Sequence, residues 1–108
     1  MRGASRIAEA DALRFRARRK ELGLGPLVIH DNYLINLASA DPVLRTRSMQ
    51  AFHQEIVRAQ ALGADYLVAH PGSGRERGME DAIRAIAQGI KQATRGLKMG
   101  DLRILLEN

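Results

Sequence analysis

Apolar positions along this chain follow two spacings. Three short runs, "PLVIH" at 26–30, "DYLVAH" at 65–70 and "LRILLEN" at 102–108, place apolar and β-branched residues side by side. Between them apolar residues recur every three or four positions. The first spacing predicts short buried strands and the second predicts amphipathic helices. A helix is predicted within "LRFRARRKELGLG", with Asp11 as N-cap and Leu13, Ala17 and Leu22 on one face, stopped by Gly23 and Gly25-Pro26. A second is predicted over 42–62: Asp41 caps it, Pro42 takes the first helical position, and Gly63 stands where a left-handed C-terminal cap belongs. Its shared face is Leu44, Ser48, Phe52, Ile56, Ala59 and Leu62. The third, over 79–95, carries Met79, Ile83, Ile86, Ala87, Ile90 and Leu97 on one stripe and is closed by Gly96 and Gly100. Gly89 inside it costs roughly 1 kcal/mol relative to alanine, so this helix is expected to lean on its neighbours.

Strand, loop, helix and turn therefore repeat in architecture, though hardly in sequence. Such spacing suits parallel strands joined by right-handed helical crossovers. Strands that are apolar without in/out alternation imply cover on both faces, as in a parallel α/β sheet or barrel. The fold class expected is α/β. At 108 residues, 45% hydrophobic, the chain can fill one modest core and one domain at most.

Charge narrows the partners without naming one. Seventeen Lys+Arg against twelve Asp+Glu give a net charge of +5, which favours anionic partners such as nucleic acid. Arg14, Arg16, Arg18, Arg19 and Lys20 cluster, with a thinner scatter through Arg75, Arg77, Lys91, Arg95 and Lys98. Only 4% of residues are aromatic, too few for a base-stacking surface. The chain has no cysteine, so it has neither disulfides nor a thiolate metal site, which fits a cytoplasmic location. No apolar run approaches the ~20 residues that span a bilayer. The N-terminus "MRGASRIAEADALRFRARRK" lacks the apolar core of a secretory signal, so no membrane partner is expected.

Each predicted strand ends in a residue able to hold a metal: His30, His70 and Glu107, which stand 40 and 37 residues apart. Parallel strands aim their C-terminal ends at one rim, where function concentrates in α/β folds. Two imidazoles and a carboxylate converging there would suit zinc, with a fourth position left for water. Taken singly, a histidine at a strand end is more often a polar cap, and Glu107 equally suits a solvent-facing position. His53, mid-helix beside Phe52 with no loop nearby, reads as structural or solvated.

Two loops follow the first two of these ligands. In "PGSG", Gly72, Ser73 and Gly74 would let the backbone approach an anion closely, although most such loops are only turns. "GLGP" is a helix stop rather than a nucleotide cradle, since the dinucleotide and Walker patterns are absent. "HDNYLINLAS" places Tyr33, Leu34, Ile35 and Leu37 in a loop at the rim. These side chains either tuck beneath the rim or, for Tyr33 and Leu34, project as a wedge able to enter a nucleic-acid duplex.

"HDNYLINLAS", "LGADYLVAHPGSG" and the terminal "ILLEN" resemble endonuclease IV, the zinc-dependent apurinic/apyrimidinic endonucleases of the xylose isomerase-like TIM-barrel superfamily, over about Pro26–Asn108. The resemblance implies a (β/α)8 barrel that binds three zinc ions and, in base excision repair, cleaves double-stranded DNA 5′ to abasic sites as a monomer. It implies that His30 and His70 are ligands of one zinc. Glu107 would reach that zinc, bridge to a second and so take part in catalysis. Tyr33 and Leu34 would enter the damaged duplex, and Gly72 and Ser73 would lie along the DNA backbone. The chain supplies three βα units of the eight, and lacks the family's first strand and the ligands of the other two zincs. Gly74 stands where the family often has a further histidine. Residues 1–108 are thus expected to be a single incomplete domain, inactive alone and weakly soluble or oligomeric. Two rival readings stand beside it. One is a sugar isomerase or epimerase of the same superfamily; the other is a non-enzymatic basic α/β piece that binds nucleic acid by charge.

Overall fold

The computed structural model describes residues 8–31, 35–72 and 78–107. Three helices, α1 (Glu9–Leu22), α2 (Pro42–Ala61) and α3 (Met79–Ala93), alternate with three strands, β1 (Val28–His30), β2 (Tyr66–Ala69) and β3 (Arg103–Leu106). The strands form one parallel sheet in the order β1-β2-β3. Val28 pairs with Tyr66, and Tyr66 with Arg103. The expected α/β class with three parallel strands is observed, with α2 and α3 as the two crossovers and α1 ahead of β1.

The α2 start follows the predicted chemistry. An Asp41 carboxylate oxygen accepts from the Val43 amide at 3.0 Å and the Leu44 amide at 3.5 Å, and Pro42 follows it in the first turn. These bonds satisfy amides that the helix itself leaves without partners. From α2, Ser48, Phe52, Ile56 and Ala59 turn inward, joined by Glu55. Phe52, Leu37, Ile56 and Leu67 are the largest side chains removed from water. Leu44, expected on this face, is exposed because it precedes the stretch that lies over the sheet.

Two further expectations are corrected. Asp11 is not the α1 cap. The helix begins two residues earlier, its N-cap is Ala8, and Asp11 pairs with Arg14 within the first turn. Leu13, Ala17 and Leu22 do not form a buried face either; Ala12 is the buried residue of α1. This helix is tethered instead by Arg19, which donates to the Gly63 carbonyl at 3.0 Å and to the Asp65 carboxylate at 2.7 Å. The Leu27 amide donates to that same carboxylate oxygen at 2.9 Å. This amide bond and the Arg19 bond hold the Asp65 carboxyl below its ordinary range.

On α3 the inward stripe is Ala82, Ala85, Gly89 and Ala93, flanked by half-buried Ile86 and Ile90. Met79, Ile83 and Ala87 stay exposed, because the small residues let α3 lie close against its neighbours. A methyl group on Gly89 would meet Leu37 side-chain carbons at 3.2–3.5 Å, so the glycine allows that approach. His53 donates from Nδ1 to the Ala93 carbonyl at 2.7 Å, which ties α2 to the end of α3.

Among the described residues the sheet is covered on one face only. Leu67 and Ala69 are fully buried towards the helices, whereas Val28 and Leu105, two registers apart on the other side, are 53% and 46% exposed. Leu106, Met79 and Ile83 are further exposed apolar side chains. Open parallel edges beside an apolar face favour association. We expect sedimentation equilibrium to show mass rising with concentration over the micromolar range. A monomer at all concentrations with a sharp two-state melt would contradict this.

Candidate metal centre

Strand parity brings the candidate ligands together. Ile29, Leu67 and Ile104 are paired across the sheet, and Leu67 is buried beneath the helices. Side chains alternate along a strand. Val28 and His30, Tyr66 and Val68, and Arg103 and Leu105 therefore belong to the opposite, open face. His70 and Glu107 continue that alternation just past β2 and β3. The ladder runs on beyond the strand ends: the Asp31 amide donates to the Val68 carbonyl at 2.8 Å, and the Glu107 amide donates to the Ala69 carbonyl at 3.0 Å.

The result is a cluster at the C-terminal rim of the open face. His30 Nε2 lies 3.8 Å from Glu107 Oε2, and His70 Nε2 lies 3.5 Å from Glu107 Oε1. The two imidazole centroids are 5.5 Å apart, and one ligand atom from each residue lies within 4.8 Å of the others. Tetrahedral zinc with ligands at about 2.1 Å holds neighbouring donor atoms about 3.4 Å apart. The observed spacings therefore need only small side-chain rotations to meet one ion. All three side chains are about half exposed, at 46–55%. The donor set, two nitrogens and a carboxylate with room for a further ligand, is the chemistry of an open zinc site.

The loops at the rim are built differently from each other. In the first, Ile35 and Leu37 tuck into the core. Tyr33 and Leu34 lie outside the described residues, as do Ser73 and Gly74. Gly72 is exposed, at φ +113°. A methyl group there would come within 2.2 Å of Asn36 Oδ1 and 2.6 Å of Asn36 Cα. Glycine is thus required at 72 by the neighbouring loop, whatever else approaches it.

Residues near the rim to which the sequence gives no role are Asp31, Asn36 and Glu55, while Ser48 is placed there only as part of the α2 face. Asp31 and Glu55 are buried carboxylates at 2% and 3% exposure. Burial, then the charge of Asp31, pushes the Glu55 carboxyl up, while Arg58 at 3.8 Å opposes both. Glu55 had a signal: it lies three residues after Phe52 and one before Ile56 on the predicted apolar face. Among the described residues no helix is long and apolar enough to cross a membrane.

Known proteins share this fold. The profile of the family described as "Xylose isomerase-like TIM barrel" matches residues 2–108. A protein named "Probable endonuclease 4" from Solibacter usitatus is 53% identical over 92 residues, spanning 85% of this chain and 32% of that protein. One of the same name from Thermoplasma acidophilum is 40% identical over 104 residues, spanning 94% and 34%. The crystal structure of endonuclease IV from Thermus thermophilus superposes with a TM-score of 0.76 at 31% identity, over 96% of this chain and 36% of that one. The chain thus spans about a third of the length of these relatives. With three parallel strands joined by helical crossovers and a family match over almost its whole length, the chain belongs to the xylose isomerase-like TIM-barrel family.

Proposed function

We propose that this chain carries one metal-binding corner of an endonuclease IV-type site, and that the intact protein is a zinc-dependent endonuclease cutting the DNA backbone 5′ to abasic sites. The observation that carries this reading is the convergence of His30, His70 and Glu107 at the strand ends of the open face. The name those relatives carry, probable endonuclease 4, supports the reaction class. On this reading the 108 residues are one part of a barrel domain rather than a whole one.

The residues divide the work as follows. His30 and His70 bind through Nε2, the atoms that face the carboxylate. Each Glu107 oxygen faces a different imidazole, so this side chain can hold the two rings in register and accept a proton at its free lone pairs. Zinc, when bound, supplies Lewis-acid polarisation of a phosphoryl oxygen and activation of water. Tyr33 and Leu34 are assigned to the damaged duplex, and Gly72 and Ser73 to its backbone. The net charge of +5 draws the polyanion in, so binding should weaken steeply with salt.

Titration of the chain with zinc tests the reading. One equivalent is expected to bind, and uptake should vanish in His30→Ala and His70→Ala. Equal uptake by both variants would remove the metal centre. A version extended to the length of the relatives is expected to nick a duplex bearing a single abasic site. Aldose–ketose interconversion without nicking would assign the site to a sugar isomerase instead.

A further inference from the structure

We infer that Ser48, a helix residue well away from the metal ligands in sequence, is a positioning residue for the His30–His70–Glu107 cluster and acts through the first rim loop on His70. This rests on the metal reading above. Ser48 is 2% exposed on the apolar face of α2, where a hydroxyl needs a partner. Its Oγ accepts from the Asn36 amide at 2.9 Å. The next amide along, Leu37, donates to the Pro71 carbonyl at 2.8 Å. Pro71 directly follows His70.

His70 needs such support because β2 ends at Ala69. The sheet fixes its backbone on one side only; on the other, the peptide at Pro71 is held by the first loop. That loop is held in turn by α2 at two points. Ser48 takes the Asn36 amide, and Arg45 donates to the Leu37 carbonyl at 3.1 Å and to the Ala85 carbonyl at 2.9 Å. Gly72 packs directly on Asn36, with no space for a side chain between them. Residues 36–37 and 71–72 are therefore joined as one piece, and α2 sets where that piece sits. A shift of the first loop carries Pro71 with it and turns the His70 imidazole away from Glu107.

The test measures zinc affinity by calorimetry and cobalt substitution by visible absorption, each beside the melting temperature of the metal-free chain. Ser48→Ala removes the acceptor. Gly72→Ala, at an exposed position, forces the loops apart and carries the test should Ser48→Ala fail to fold. Both are expected to bind zinc about tenfold more weakly, the lower end of what lost outer-sphere support costs, and to shift the cobalt bands. Gln60→Ala removes a 2.7 Å bond to the Lys98 carbonyl at the far end of the same helix and should leave both readouts unchanged. Wild-type zinc affinity in Ser48→Ala or in Gly72→Ala, whatever happens to the melting temperature, would overturn the inference. A wild-type chain that takes up no zinc would instead overturn the metal reading, and this inference with it.

Discussion

Phe52→Ala is expected to produce the largest loss of stability of any single substitution in this chain, about 3–5 kcal/mol. Phe52 is fully buried, and its neighbours in the core come from every layer: Ile35 and Leu37 from the rim loop, Ile56 and Ala59 from α2, Leu67 from the sheet. Removing the ring takes away its transfer energy and leaves a cavity that a small core cannot close. Domains of this size have only about 5–15 kcal/mol in hand. The melting temperature should fall by at least about 12 °C. Leu44→Ala, about two turns earlier on the same helix and 44% exposed, should change stability by no more than about 0.5 kcal/mol. Thermal melts of the two variants side by side check this; similar losses would mean that α2 packs through a different face.

Glu55→Gln is expected to act in the opposite direction and to depend on pH. The Glu55 carboxyl is nearly out of water, beside buried Asp31, and among the described residues its Oε1 has no hydrogen-bond partner. Its folded-state pKa lies above the ordinary 4.5, chiefly through burial. Below about pH 4.5 the group is protonated in folded and unfolded chains alike and costs nothing. As pH rises from there, the unfolded chain releases its proton while the folded chain resists, so stability falls until the folded pKa is passed. A neutral amide in place of the carboxyl carries no such penalty. Glu55→Gln should therefore stabilise the chain at pH 7, by the cost of ionising the buried carboxyl that the amide does not bear. At about pH 4, below the unfolded pKa, it should be nearly neutral. Urea denaturation at the two pH values measures the difference. A variant less stable than wild type at neutral pH would show that the Arg58 ion pair outweighs burial.

Both outcomes turn on features that differ in how openly the chain displays them. Element type and order were legible, since a run such as "YLVA" and a three-to-four spacing such as Ser48–Phe52–Ile56–Ala59 each report local geometry. The α2 cap was legible for the same reason: Asp41 bonds amides two and three residues ahead. The convergence of His30, His70 and Glu107 was legible because strand ends are marked by a change in residue type, and parallel strands align their ends. Asp11 misled because a capping residue and a first-turn acid look alike until the backbone shows where the helix begins. The α3 stripe misled because hydrophobicity was counted and size was not. Ala82, Ala85, Gly89 and Ala93 win the interior by allowing close approach, leaving the bulkier Met79 and Ile83 outside.

The sequence by itself determined the α/β class, the parallel order of three strands, and which three side chains could share a cation, because period and strand ends are local properties of the chain. Tertiary structure alone decided that Glu55 is buried next to Asp31, that Gly72 is held against Asn36, and that Ser48 meets the loop carrying Leu37. Such contacts join segments more than ten residues apart, and no spacing along the chain encodes the distance between them.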